Sequence, residues 1–119
     1  MSNNNNNNNP LGTFILDFQS VDFERDARIA NEMISDLQKN CQLENQYALD
    51  PPIERAGWSF AKLFLSGQFV ERIIAGNSYE IERTKGRKFQ DKIINWVAAQ
   101  LKNRGCGAQI KAAPEMKDL

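Results

Sequence analysis

The chain has no histidine, and that absence removes the Ser-His-Asp and Cys-His nucleophile systems, the HExxH metalloproteases and the zinc sites built on imidazole. Cysteine is nearly as scarce. Cys41 and Cys106 are the two present, too far apart and too few for a disulfide framework or a thiolate metal cluster. With no charged-then-apolar leader before a small-residue cleavage site, reduced thiols and a cytoplasmic location are the expectation. No apolar run reaches the ~20 residues that cross a bilayer, because Arg55, Lys62 and Arg72 interrupt the longest candidate; no membrane partner is expected. Glycine-rich phosphate loops are missing too. Lys85-Gly86-Arg87-Lys88 holds a single glycine, and neither GxGxxG nor GxxxxGK[ST] occurs, which disfavours nucleotide chemistry.

What is present fits one domain. A chain of 119 residues, 41% hydrophobic and 25% charged, has the composition of an ordinary globular protein with a modest core. Fifteen basic and fifteen acidic side chains cancel, so net charge selects no partner. Their distribution is uneven: residues 1–82 carry 12 acidic and 6 basic groups, residues 83–119 carry 3 acidic and 9 basic. An acidic front and a basic back imply two different surfaces. Asn3 to Asn9 with Pro10 offers nothing to bury and reads as a disordered tail over residues 1–12, or as a vector remnant.

Along the rest of the chain, Thr13 to Phe18 is a short apolar run, extended or loosely helical. From Ser20 or Asp22, apolar positions Phe23, Ala27, Ala30, Ile34, Leu37 and Cys41 recur at threes and fours, and early acids with a late Lys39 suit the helix dipole. Asn40 to Leu49 reads as a connection. Asp50-Pro51-Pro52 resembles a helix start, so a helix is expected to follow with Ile53, Gly57, Phe60, Ala61, Phe64 and Leu65 on its stripe, and Gly67 either ends it or is a weak point within it. On that spacing Trp58, Phe60, Phe64 and Phe69 belong to the core rather than to a base-stacking platform. Gln68 to Ala75 continues in helical spacing, Gly76-Asn77-Ser78 breaks the chain, and Tyr79 to Thr84 is a short strand or a helix. A last helix from Lys85–Lys88 to Asn103 turns Phe89, Ile93, Trp96, Val97 and Leu101 inward and ends on a left-handed Gly105. Gln109 to Ala113 reads as a strand. The fold class expected is mostly α with a minor β component: three or four amphipathic helices and a C-terminal strand in a single domain over residues 13–119.

Two acidic groups merit weighing. Asp22, Glu24 and Asp26 stand at a helix start, where capping and the dipole account for them. Glu80 and Glu82 share a face if 79–84 is extended, an arrangement able to hold Mg²⁺, although alternation of this kind is common. The basic group Arg83, Lys85, Arg87, Lys88 and Lys92 is denser. Positive charge at a helix amino end opposes the dipole, so its placement points to an anionic partner, with Trp96 near enough to help track a phosphate backbone.

Gly86-Arg87-Lys88-Phe89-Gln90, then Ile93-Ile94-Asn95-Trp96-Val97, Leu101, Gly105 and Ala108 to Ala112, resembles the opening segment of restriction-endonuclease-like nucleases of the PD-(D/E)XK fold, over about residues 85–119. The resemblance implies the start of an α/β nuclease core. It also implies a site where Mg²⁺, held by acids of the central sheet, activates water against a phosphodiester, and a homodimer for cutting both strands. Gln90 stands where that family often has Glu. Asp118 is the position matching the first sheet acid, and the following acid-x-lysine strand is missing. On this expectation the chain is the amino-terminal fragment of a type II restriction-like DNA endonuclease, with Arg83, Lys85, Arg87, Lys88 and Lys92 on DNA and residues 13–82 as a helical support. The alternative is a small non-catalytic helical adaptor or regulatory protein that binds nucleic acid or a protein, with no cofactor.

Overall fold

The computed structural model describes residues 12–116; the asparagine tract and Asp118 lie outside them. The chain is an α+β fold, and its sheet is far from minor. Five strands form one antiparallel sheet, covered on one face by three helices.

The middle strand β1 (Phe14–Ser20) reads FILDFQS. Alternation puts Phe14, Leu16, Phe18 and Ser20 on a buried face and Ile15, Asp17 and Gln19 on the other. It pairs antiparallel on one side with β4 (Trp58–Leu65), in register from Phe14↔Leu65 to Ser20↔Ser59, and on the other with β5 (Gln109–Ala112), from Leu16↔Ala112 to Gln19↔Gln109. The outer side of β4 is covered by β2 (Tyr47–Leu49) at one end and β3 (Ile53–Arg55) at the other. Between those short strands, Asp50, Pro51 and Pro52 stand opposite only Ala61 and Lys62. That is a β-bulge, and two prolines within it blunt this edge of the sheet.

The expected helix over Ile53 to Leu65 is therefore a hairpin. Its two-residue turn, Ala56-Gly57, has positive φ at both positions, 53° and 83°, the geometry of a type I′ turn that matches strand twist. The helical reading fails for a physical reason. Along β4, Ser59, Ala61, Leu63 and Leu65 are buried while Trp58, Phe60 and Phe64 take the other side with Lys62, so apolar residues occupy both faces and erase the period of two.

Helix α1 (Phe23–Asn40) starts where Asp22 accepts the Arg25 N–H at 3.4 Å, and buries Ala30, Met33 and Ile34. Helix α2 (Gly67–Glu82) is capped by Ser66, whose hydroxyl accepts the Phe69 N–H at 3.1 Å. Residues 76–78 do not break it. Asn77 leaves helical angles (φ −138°, ψ 26°) while its side-chain amide donates to the Ile73 carbonyl at 3.0 Å, so the helix kinks and runs on. Tyr79 to Glu82 are thus helical rather than a strand. Helix α3 (Phe89–Asn103) and β5 lie where the sequence places them, and Gly105 takes φ 90° at the stop.

The helices and the inner sheet face enclose the core: Phe14, Leu16 and Phe18 from β1, Leu63 and Leu65 from β4, and Phe69, Ile73, Ile93 and Leu101 from α2 and α3. Each such side chain contributes about 1.5–3 kcal/mol on burial. At one end Asp26, 1% exposed, joins three elements. Its carboxylate accepts from the Ser20 hydroxyl at 2.6 Å, the Gly107 N–H at 2.9 Å and the Arg25 guanidinium at 3.2 Å. Burial, the largest influence, pushes this carboxyl up; the Ser20, Gly107 and Arg25 interactions together outweigh it and leave it below the ordinary aspartate value. Among the acids expected at the helix start, Asp22 caps as anticipated, whereas Asp26 is a buried fastening.

Candidate nucleic-acid interface

Helices cover one face of the sheet. The opposite face carries Trp58, Phe60, Lys62 and Phe64 from β4, Ile15, Asp17 and Gln19 from β1, and Gln109 and Lys111 from β5. Trp58 and Phe60, two residues apart on one strand, stand about 7 Å apart along it. Phe60 is 38% exposed and its cross-strand neighbour Ile53 is 70% exposed. Three of the four aromatics expected in the core are on this open face; Phe69 alone is fully buried. The corrected strand assignment accounts for the difference, since alternate residues of a strand share a face, which gathers Trp58, Phe60 and Phe64 opposite the buried Ser59, Ala61, Leu63 and Leu65.

Beside Phe60 lies a slot of about 290 Å³ bounded by Ile53, Pro51, Gln19, Asp50, Asp17 and Lys62. One aromatic face, an aliphatic wall, an amide and ionic groups can sandwich a flat heterocycle and hydrogen-bond its edge. The Lys62 ammonium is held at 2.7 Å from Asp17 Oδ1 and 3.2 Å from Glu115 Oε1. The Asp17 hydrogen bond is the main reason its pKa lies above the ordinary lysine value. Glu115 reaches it because the chain turns after β5: the Met116 N–H bonds the Ala113 carbonyl at 3.0 Å, and Ala113 itself pairs with Ile15 through a 2.9 Å bond.

The basic group expected to meet polyanion lies on the α2–α3 connection and the first turn of α3. Lys85 and Arg87 are exposed without an ion-pair partner among the described residues, and Lys88 is exposed as well. Arg83 lies over the Tyr79 ring at 5.2 Å, a cation–π arrangement. Lys92 turns back, donating to the Glu82 carbonyl at 2.9 Å with the Glu82 carboxylate at 3.9 Å. The loop is shaped by Asn95, which donates to the Lys85 carbonyl at 2.8 Å, and by Asp91, which accepts the Lys88 N–H at 3.3 Å. Gly86 is required there: a Cβ would lie 2.7 Å from the Lys92 backbone nitrogen. The loop sits beside β5, for one cleft is lined by Gly86, Asp91, Asn95, Ile110 and Lys111 together.

Other expectations about this region need correction. Trp96 is 5% exposed and its Nε1 donates to Glu80 Oε1 at 2.9 Å, so it is no platform for a phosphate track. Glu80 and Glu82 are helical, engaged with Trp96 and Lys92, and do not form the strand-borne pair that can hold Mg²⁺. No group of three or more acids, cysteines or histidines arranged for a metal occurs among the described residues. Gln90, at the position where the nuclease family often has an acid, is 5% exposed. Asp118 lies outside the described residues. Strand β5 pairs with β1 over four residues. No helix among the described residues is long and apolar enough to cross a membrane.

Comparison with known proteins gave no match: no family model, no curated protein and no solved structure matches the chain.

Proposed function

We propose that the protein is a non-catalytic binding module for single-stranded nucleic acid. The observation that carries this reading is the alternation of Trp58, Phe60 and Phe64 along the uncovered face of β4, with the slot beside Phe60. Phe60 is exposed, with Trp58 and Phe64 half-buried beside it; aromatics presented on a sheet receive bases by stacking, which requires unpaired, splayed nucleotides rather than a duplex. Arg55 and Lys111 flank the face, and the Lys85–Lys88 loop beyond β5 extends the positive surface in one direction, where a phosphate backbone gains by displacing counterions.

The test is fluorescence anisotropy of a labelled oligothymidylate. Affinity should fall steeply as salt rises. Phe60→Ala should weaken binding about 5- to 150-fold, the scale of one lost base–aromatic stack, and Lys85→Ala/Arg87→Ala should flatten the salt dependence. Equal binding by wild type and Phe60→Ala, or preference for duplex, overturns the proposal.

A second reading follows from the resemblance to PD-(D/E)XK nucleases, favoured by the same exposed basic loop ahead of α3. In it the loop meets DNA and Mg²⁺ is held by acids that include Asp118. Its test is preference for duplex over single-stranded DNA, lost in Lys85→Ala/Arg87→Ala.

A further inference from the structure

The two edges of the sheet differ. The β2/β3 edge carries two prolines and a bulge. Gln109–Ala112 carries neither, Pro114 lying two residues beyond it. Because the Ala113 N–H bonds the Ile15 carbonyl at 2.9 Å, antiparallel alternation assigns Lys111 and Gln109 to the same hydrogen-bonded set. Ile110 and Ala112 then point their N–H and C=O groups away from β1. Neither residue finds a backbone or side-chain partner on that outer side among the described residues. Alongside runs a cleft of about 230 Å³ between this edge and the start of α3, with Ile94 and Ile110 as its apolar part. An unpaired strand edge facing a helix across an apolar-floored groove is the geometry into which an extended segment adds as a further strand.

Charge selects the occupant. Lys111 projects from the edge strand itself, Lys85 and Arg87 rise from the adjoining loop, and Asp91 is the acid lining the cleft, its carboxylate already accepting the Lys88 N–H. A second copy joined through its own β5 would bring two such basic surfaces together, an unfavourable approach at low salt. We infer that the β5 edge is a docking site for an extended, acidic peptide segment of a partner protein, which pairs with the outward backbone groups of Ile110 and Ala112 while its acidic side chains meet Lys111 and the Lys85–Arg87 loop. This inference uses the edge of the sheet and not its open face, but it shares Lys111 and the Lys85–Arg87 loop with the nucleic-acid reading, so the two ligands compete for those cations.

The probe is a short labelled peptide of alternating valine and glutamate, with a control of the same charge in which the valines are prolines. Binding of the first and not the second is expected, with slowed hydrogen exchange at the Ile110 and Ala112 amides. Ala112→Pro removes an outward N–H that β1 does not use, so it should lose the peptide by tenfold or more while retaining oligothymidylate binding. Equal binding of the two peptides, unchanged exchange at the two amides, or undiminished binding by Ala112→Pro overturns the inference. So does sedimentation of the protein alone as a dimer whose Ile110 and Ala112 amides are already protected, since the occupant is then a second copy. Loss of oligothymidylate binding by Phe60→Ala with peptide binding intact separates the two sites.

Discussion

The two faces of one sheet are built from the same alternating strands and serve opposite ends. On the helix side Phe14, Leu16, Phe18, Leu63 and Leu65 are each no more than 1% exposed. On the other side Trp58, Phe60 and Phe64 are also large and aromatic, but no helix covers them, and a Lys62–Asp17 pair at 2.7 Å runs through their midst. Residue type does not distinguish these faces; the covering layer does. Single apolar residues on a surface are ordinary, but aromatics grouped on one strand face, with Ile53 exposed beside them, make the kind of patch at which a partner binds.

The largest test of that contrast is a paired substitution. Phe18→Ala empties a buried site and should cost about 3–5 kcal/mol in urea unfolding, whereas Phe60→Ala should cost less than about 1 kcal/mol while weakening oligonucleotide binding. Comparable destabilisation by both variants would erase the distinction between the faces. Next in size is Asp26→Ala at the end of the covered face, which strands the Ser20 hydroxyl and the Gly107 N–H and should cost about 1–3 kcal/mol. The same carboxylate adds a pH signature. Its folded pKa is lowered, so its stabilisation is fully present above the unfolded value of about 3.9 and fades as pH falls through the folded value. Wild type should therefore lose more stability than Asp26→Asn between pH 5 and pH 2, read by urea midpoints at each pH.

Smaller again is the hairpin that presents the aromatics. Ala56 holds φ 53° ahead of Gly57, a conformation asparagine tolerates better, so Ala56→Asn should stabilise by about 0.5–1 kcal/mol in thermal melts. The smallest effect sharpens the open face alone. Glu115→Gln releases Lys62 from its outer carboxylate and should raise oligothymidylate affinity about twofold, the scale of an exposed ion pair. A fall in affinity would mean that Glu115 itself contributes to binding.

How much of this was legible depends on which elements show one face to the core. Helices α1 and α3 have a single apolar stripe and clear ends, Asp22 and Gly105 among them, and the sequence reading finds both. Strand β5 follows from the Gly-Cys-Gly stop. Strand β4 does not, because its outward positions are aromatic and the apolar run looks continuous; Asp50-Pro51-Pro52, which marks a bulge at a sheet edge, mimics a helix cap. Missing β4 hides the candidate site, for Trp58, Phe60 and Phe64 share a face only at a period of two. The turn gave little warning, since Ala56 stands where a type I′ hairpin usually has Asn, Asp or Gly ahead of its glycine, and Glu54 and Arg55 before it are not β-prone. The basic loop is visible as composition, but the inward turn of Lys92 and the burial of Trp96 depend on Glu82 and Glu80, which the kinked α2 brings alongside α3.

The most direct test of the central claim uses tryptophan. Trp58 is on the open face while Trp96 is buried and bonded to Glu80, so Trp96→Phe leaves Trp58 as the sole indole reporter. Titration of that variant with oligothymidylate should quench Trp58 emission to saturation, with a midpoint that shifts to higher concentration as salt is added. Emission that stays constant while anisotropy shows the oligonucleotide bound would place nucleic acid elsewhere and contradict the account.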